Sequence, residues 1–163
     1  MTSNLSKGRT LAIDYGKARL GLAISDEKKI IATPLPTIQA EKKIENTLTK
    51  ILREIQALED KGYVINEIIV GMPLKMNGNT SPMAGEVNEF VKLLASSFSF
   101  PVFTWDERLS SVEADRSMRE GKLNRKKRSK SVDAVAAVII LQSYLNKQQN
   151  TFFPITNDLD KSI

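Results

Sequence analysis

Apolar residues recur along this chain with two different periods, and the switches between them mark its elements. Short runs at 9–14 and 20–25, joined by the polar turn Gly16-Lys17-Ala18, predict two buried strands. A third run, 30–38, carries Pro34 and Pro36, which cannot donate to a ladder, so this strand is expected at a sheet edge. The spacing then lengthens. Ile44, Leu48, Ile51, Leu52 and Ile55 fall at helical intervals and predict an amphipathic helix over about 40–60 that ends before Gly62. Glu67-Ile68-Ile69-Val70-Gly71 reads as a short buried strand closed by Gly71-Met72-Pro73. The loop 74–79 leads into a second helix with the face Val87, Phe90, Val91 and Leu94, capped by Thr80 or Ser81 with Pro82 in its first turn. Phe100 to Trp105 is a further strand and Leu109 to Met118 a helix. Val132 to Leu145 is a helix apolar nearly all round, expected between two layers.

A meander of three strands followed by alternating helices and strands predicts an α/β fold, a mixed five-stranded sheet with helices on both faces. The length of 163 residues suits one domain, placed at 1–146, with a C-terminal tail at 147–163 that lacks periodicity. In such sheets ligands sit beyond the carboxyl ends of the parallel strands. Asp14 leaves the first strand there, Glu107 leaves the last, and Asp133 opens the apolar helix, so the three acids are expected to share one crevice. Taken singly, each has a plainer reading: a turn-forming acid, a partner for Arg108, and a helix-start acid favoured by the dipole.

Composition narrows the chemistry. The chain has neither cysteine nor histidine, which removes disulfides, thiol nucleophiles, structural zinc and imidazole bases together. Acid–base or metal chemistry falls to Asp, Glu, Lys or Tyr. No apolar run is long enough to span a bilayer and the first residues form no hydrophobic signal region, so a cytoplasmic protein without membrane association is expected. The net charge of +5 is unevenly spread: residues 119–130 hold seven basic side chains and one acidic, and the remainder is near neutral. This segment reads equally as a solvated mobile loop or as a contact for a polyanion.

Four stretches in order, Asp14-x-Gly16-x-x-Arg19-x-Gly21-x-Ala23-x-Ser25-Asp26, Gly71-x-Pro73-Leu74, Asp106-Glu107-Arg108-Leu109-Ser110-Ser111-x-Glu113-Ala114, and Asp133-x-x-Ala136-Ala137 with Ile140-Leu141-Gln142, resemble the YqgF family over about residues 9–146. The resemblance implies a ribonuclease H-like fold. It also implies a bacterial nuclease, described as a Holliday junction resolvase and as the enzyme that matures the precursor of small-subunit ribosomal RNA. Carried over by position, the family's acidic triad falls on Asp14, Glu107 and Asp133. Three converging carboxylates suit one or two hard divalent cations, Mg²⁺ or Mn²⁺, which activate water and neutralise the leaving oxygen in phosphodiester hydrolysis. Expected nucleic-acid contacts are Arg19, Lys75, Arg108, Arg125, Lys126, Lys127, Arg128 and Lys130, each with a surface or ion-pair alternative. Trp105 and Tyr15 suit base stacking or the core. Structured RNA is the favoured substrate over branched DNA, and a monomer is favoured over a dimer. Two rivals remain from other classes: a nucleotide-binding domain of the actin and sugar-kinase type, and a nucleic-acid-binding factor that cuts nothing.

Overall fold

A computed structural model describes residues 7–72, 82–106 and 125–152, with the backbone alone at 125–134 and 150–152. Five strands, β1 (Arg9–Tyr15), β2 (Arg19–Ser25), β3 (Ala32–Gln39), β4 (Ile65–Met72) and β5 (Val102–Asp106), form one sheet in the order β3-β2-β1-β4-β5. The meander is antiparallel, whereas β4 and β5 run parallel to β1. The sheet is therefore mixed, and the proline-bearing β3 lies at its edge, where a missing donor costs no ladder bond.

Alternation along β1 separates two cores. Leu11, Ile13 and Tyr15 face one side, where they meet Ile51, Ile55 and Leu58 of α1 (Ile44–Asp60) and Val87, Phe90 and Leu94 of α2 (Ala84–Ala95). Ala12 faces the other, with Ala23 and Ile69, against Ala137, Ile140, Leu141, Tyr144 and Leu145 of α3 (Arg125–Phe152). Helices thus cover both faces. The small residues Ala12 and Ala23 let α3 approach β1 and β2 closely.

Local chemistry sets most boundaries. At the end of α1, Gly62 takes φ +98° while its N–H donates to the Glu59 carbonyl at 2.9 Å and that of Tyr63 to Leu58 at 3.1 Å. That left-handed turn is open to glycine at little cost and closes the last carbonyls. The start of α2 differs from expectation. Met83 is its N-cap, with no side-chain cap bond, and Pro82 lies in the preceding turn; Thr80 and Ser81 fall outside the described residues. Met83 packs on the first core, so apolar burial rather than a hydroxyl fixes the helix entry. The last helix is also longer than the apolar pattern predicts. It begins at Arg125, so Asp133 is not in its first turn, and residues 125–130 of the expected basic loop are helical. Arg and Lys are good helix formers, and a helix nucleated by a packed apolar segment extends through them readily. Val135, Ala136, Val138 and Ile139 are half-buried, so among the described residues α3 is a covering layer rather than a wedge. It continues through Phe152. The expected loop 74–79 and helix 109–118 lie outside the described residues.

Candidate functional site

Asp14 is the sixth of seven residues in β1, half-buried, and follows Ala12 by two, which places it on the α3 face. Its antiparallel partner on β2 is Gly21. On the other side, Ile13 pairs with Val70, so the next level of β4 is Gly71, whose own partner on β5 is Trp105. The row across the sheet reads Gly21, Asp14, Gly71, Trp105. A carboxylate therefore stands between two positions without side chains, and the row ends on Trp105. Its ring meets Tyr144 edge-on at 5.2 Å and carries Lys147 Nζ at 5.7 Å, an arrangement of the core margin rather than of a free stacking platform.

The turn that follows Asp14 is fixed by close packing. A Cβ on Gly16 would meet the Arg19 carbonyl at 2.5 Å, so the tight reversal into β2 requires glycine there. Tyr15 points to the opposite face, where its hydroxyl donates to Glu86 Oε1 at 2.8 Å and its ring lies 4.9 Å from Phe90. Burial, and then the hydrogen bond to Glu86, push its pKa far up. Tyr15 is a core residue, not a base-stacking one.

Because β1, β4 and β5 are parallel, Asp14, Met72 and Asp106 finish at one edge of the sheet, and Glu107 is the residue after Asp106. Helix α3 runs to the same edge. Its second half is tied to the opposite end: Gln142 Oε1 accepts from Ala32 N–H at 3.0 Å, its Nε2 donates to the Ile30 carbonyl at 2.8 Å, and Tyr144 OH donates to Glu67 Oε2 at 2.7 Å. Thr10 Oγ1 donates to the same Glu67 carboxylate at 2.6 Å. From this shared point, β1 takes about 13 Å of strand to reach Asp14 and α3 about 16 Å of helix to reach Asp133, in the same direction.

The described structure thus places Asp14 and Arg19 at the carboxyl edge, and the backbone of Asp133 on the helix that runs there. The side chains of Glu107, Arg108, Lys75 and Asp133 lie outside the described residues, as do those of Arg125, Lys126, Lys127, Arg128 and Lys130, whose backbones open α3. Among the described residues no group of three Asp, Glu, His or Cys is gathered tightly enough to hold a metal ion.

Besides Arg19, which the sequence singled out, this edge carries groups that sequence reading missed. A cavity of about 350 Å³ is lined, among the described residues, by Ala18, Arg19, Thr37 and Gln39. The adjoining β1–β2 turn and β3–α1 connection carry the exposed Lys17, Lys42 and Lys43, and Lys50 donates to the Gln39 carbonyl at 3.1 Å and pairs Glu41 at 2.8 Å. A sum of charges along the chain hides this group. The antiparallel meander was the available signal, since it returns the end of β3 to the level of the β1–β2 turn.

Comparison with known proteins agrees with this architecture. Residues 8–147 match the RuvX family, described as Holliday junction resolvase. A candidate pre-16S rRNA nuclease of Protochlamydia amoebophila is 50% identical over 149 residues, covering 91% of this chain and 99% of that protein. Another from Halothermothrix orenii is 45% identical over 140 residues, covering 86% of this chain and 96% of that one. Among solved structures, Thermus thermophilus RuvC in complex with a Holliday junction substrate superposes with a TM-score of 0.53 at 18% identity, over 88% of this chain and 97% of that one. At that identity the likeness concerns the fold, which is the mixed sheet of the RNase H-like resolvases.

Proposed function

The chain belongs to the RuvX family, and from that premise we propose that it is a divalent-metal-dependent nuclease that trims the precursor of small-subunit ribosomal RNA through Asp14, Glu107 and Asp133. The observation that carries the reading is the position of Asp14 between two glycines at the carboxyl edge, where β5 also ends one residue before Glu107, with Asp133 on α3. The RNA substrate rests on the relatives named for it.

The residues fit a hard cation. The chain offers no imidazole or thiolate, and the positions flanking Asp14 across the sheet are Gly21 and Gly71, so neither places a side chain beside the carboxylate. Asp14, Glu107 and Asp133 would hold it. When bound, Mg²⁺ or Mn²⁺ lowers the pKa of a water and offsets charge on the leaving oxygen. The protein's own part is to fix Asp14 on a strand and Asp133 on a helix, elements stiffer than loops, and to draw the nucleic-acid strand in with cations. The basic residues that open α3 supply that attraction without reading sequence.

The test is side-by-side incubation of the purified chain with Mg²⁺, Mn²⁺ or EDTA on labelled ribosomal precursor, single-stranded RNA and a four-way DNA junction. Metal-dependent cutting of the precursor, lost in Asp14→Asn, is the expected result. Symmetric cutting of the junction by a stable dimer that spares RNA would replace this reading with resolution, which needs two paired sites.

A further inference from the structure

We propose that the cavity between the β1–β2 turn and the end of β3 is a preformed subsite for the RNA sugar-phosphate backbone, with Arg19 taking a phosphate and Thr37 and Gln39 taking a ribose 2′-hydroxyl. This rests on the nuclease reading for its ligand class and adds to it a place, a chemistry and a preference for RNA.

Three observations carry it. The cavity, about 350 Å³, shares face and edge with Asp14. Leu20, Leu22 and Ile24 pack toward α1 and α2, so Arg19 and Gly21, which alternate with them, face the α3 side, as Asp14 does. The pairing of β2 with β3 slips between Leu20 and Leu22: Leu20 pairs with Ile38 but Leu22 with Leu35. That extra residue on β3 keeps Leu35 and Ile38 both against the first core while Thr37 and Gln39 line the cavity with Arg19. Such irregularities re-aim side chains beside sites. One strand, β2, lies between β3 and β1, a separation of roughly 10 Å, so one nucleotide strand can reach Asp14 and the cavity together.

The lining chemistry selects the ligand. One guanidinium, one hydroxyl and one amide, with no carboxylate among the described lining residues, match an anionic oxygen beside a neutral donor and acceptor. The frame is held before any ligand arrives, because Ala40 N–H donates to the Ala18 carbonyl at 2.9 Å and joins the β1–β2 turn to the β3–α1 connection. Those two connections carry the exposed Lys17, Lys42 and Lys43, and Lys50 stands behind Gln39; Glu41 and Glu45 are the nearby acids on the same segment. The excess of cations raises the local concentration of a polyanion at the cavity mouth.

The experiment measures binding of a fluorescein-labelled single-stranded RNA and its 2′-deoxy counterpart to the full chain in EDTA by anisotropy, across a salt series. Thr37→Val with Gln39→Leu, on an exposed edge strand that tolerates both, is expected to reduce the RNA-over-DNA preference by about three- to tenfold while leaving DNA affinity in place. Arg19→Ala is expected to weaken both ligands by about tenfold or more and to flatten the salt slope by about 0.7. An unchanged RNA-over-DNA ratio in the double variant, or an unchanged slope in Arg19→Ala, overturns the assignment. If the wild type cleaves no RNA yet shows both binding effects, the nuclease reading falls and the subsite stands.

Discussion

The two ends of this sheet use the same kinds of residue for opposite purposes. At the amino end of β4, the carboxylate of Glu67 is enclosed by partners: Thr10 Oγ1 at 2.6 Å, Tyr144 OH at 2.7 Å and Lys29 Nζ at 3.7 Å. Around it Arg9 donates to the Ser25 carbonyl at 3.2 Å, and Asp26 Oδ1 accepts from the N–H groups of Ile30 and Ile31 at 2.7 and 3.0 Å. Acceptors and donors there serve one another, and the effect is to lock α3 onto the sheet. At the carboxyl end, Asp14 stands between glycines, and Arg19, Thr37 and Gln39 line a cavity open to solvent. An acid in a strand does not by itself mark a site. What differs is the neighbouring positions on the same face, which are side chains that serve as partners around Glu67 and glycines beside Asp14.

Neutralising an acid at each end should break the comparison most sharply. Asp14→Asn, Glu107→Gln and Asp133→Asn are each expected to cut metal-dependent cleavage by orders of magnitude while thermal unfolding stays at or slightly above the wild type, since crowded carboxylates repel one another without metal. Wild-type turnover in Asp14→Asn would remove the carboxyl edge as the site. Next in size is the basic start of α3. Replacing Arg125, Lys126, Lys127 and Arg128 by Gln should weaken nucleic-acid binding by a similar factor for different sequences and flatten the salt slope by about 3 units, read from binding isotherms at several salt concentrations.

The amino end should answer in stability instead. Glu67→Gln loses the ion pair and one of two acceptor oxygens, for an expected cost of about 1–3 kcal/mol, with cleavage per folded molecule intact. Calorimetry beside an activity assay separates the two. Tyr144→Phe is smaller, about 1 kcal/mol, or a few degrees in Tm. It also carries a pH signature. Burial, then the bond to Glu67, raise the Tyr144 pKa in the folded chain, so its contribution is complete below the ordinary tyrosine value near 10 and is lost as pH rises beyond it. The variant should therefore lose less stability than the wild type on the alkaline side.

Smallest is Asp26, where burial works to raise the pKa but the N–H groups of Ile31 and Ile30, with Arg9, win and hold it below the usual carboxylate range. Its contribution is present above the ordinary value near 4 and fades as pH falls through the lowered one. The stability difference between the wild type and Asp26→Asn should shrink on acidification, and a difference constant with pH would remove the role given to this turn.

The sequence by itself determined the order of the described elements, the proline-marked edge strand, the helices on both sheet faces and the position of Asp14 at a strand end. Each of these follows from burial acting on residues a few positions apart, which leaves a period in the chain. It also excluded imidazole and thiol chemistry outright. The start of α3 was illegible because 125–131 has no apolar residue and carries no period to read, although its Arg and Lys residues extend a packed helix well. The cap of α2 was misread for a related reason, since Met83 is held by the core and not by a local hydroxyl. Only the tertiary structure decided that Glu67 is a structural acid, and that Lys50 and the connections carrying Lys17, Lys42 and Lys43 come to the edge that carries Asp14 and Arg19. Strand order and chain reversal set those distances, and a charge total taken along the chain averages them away.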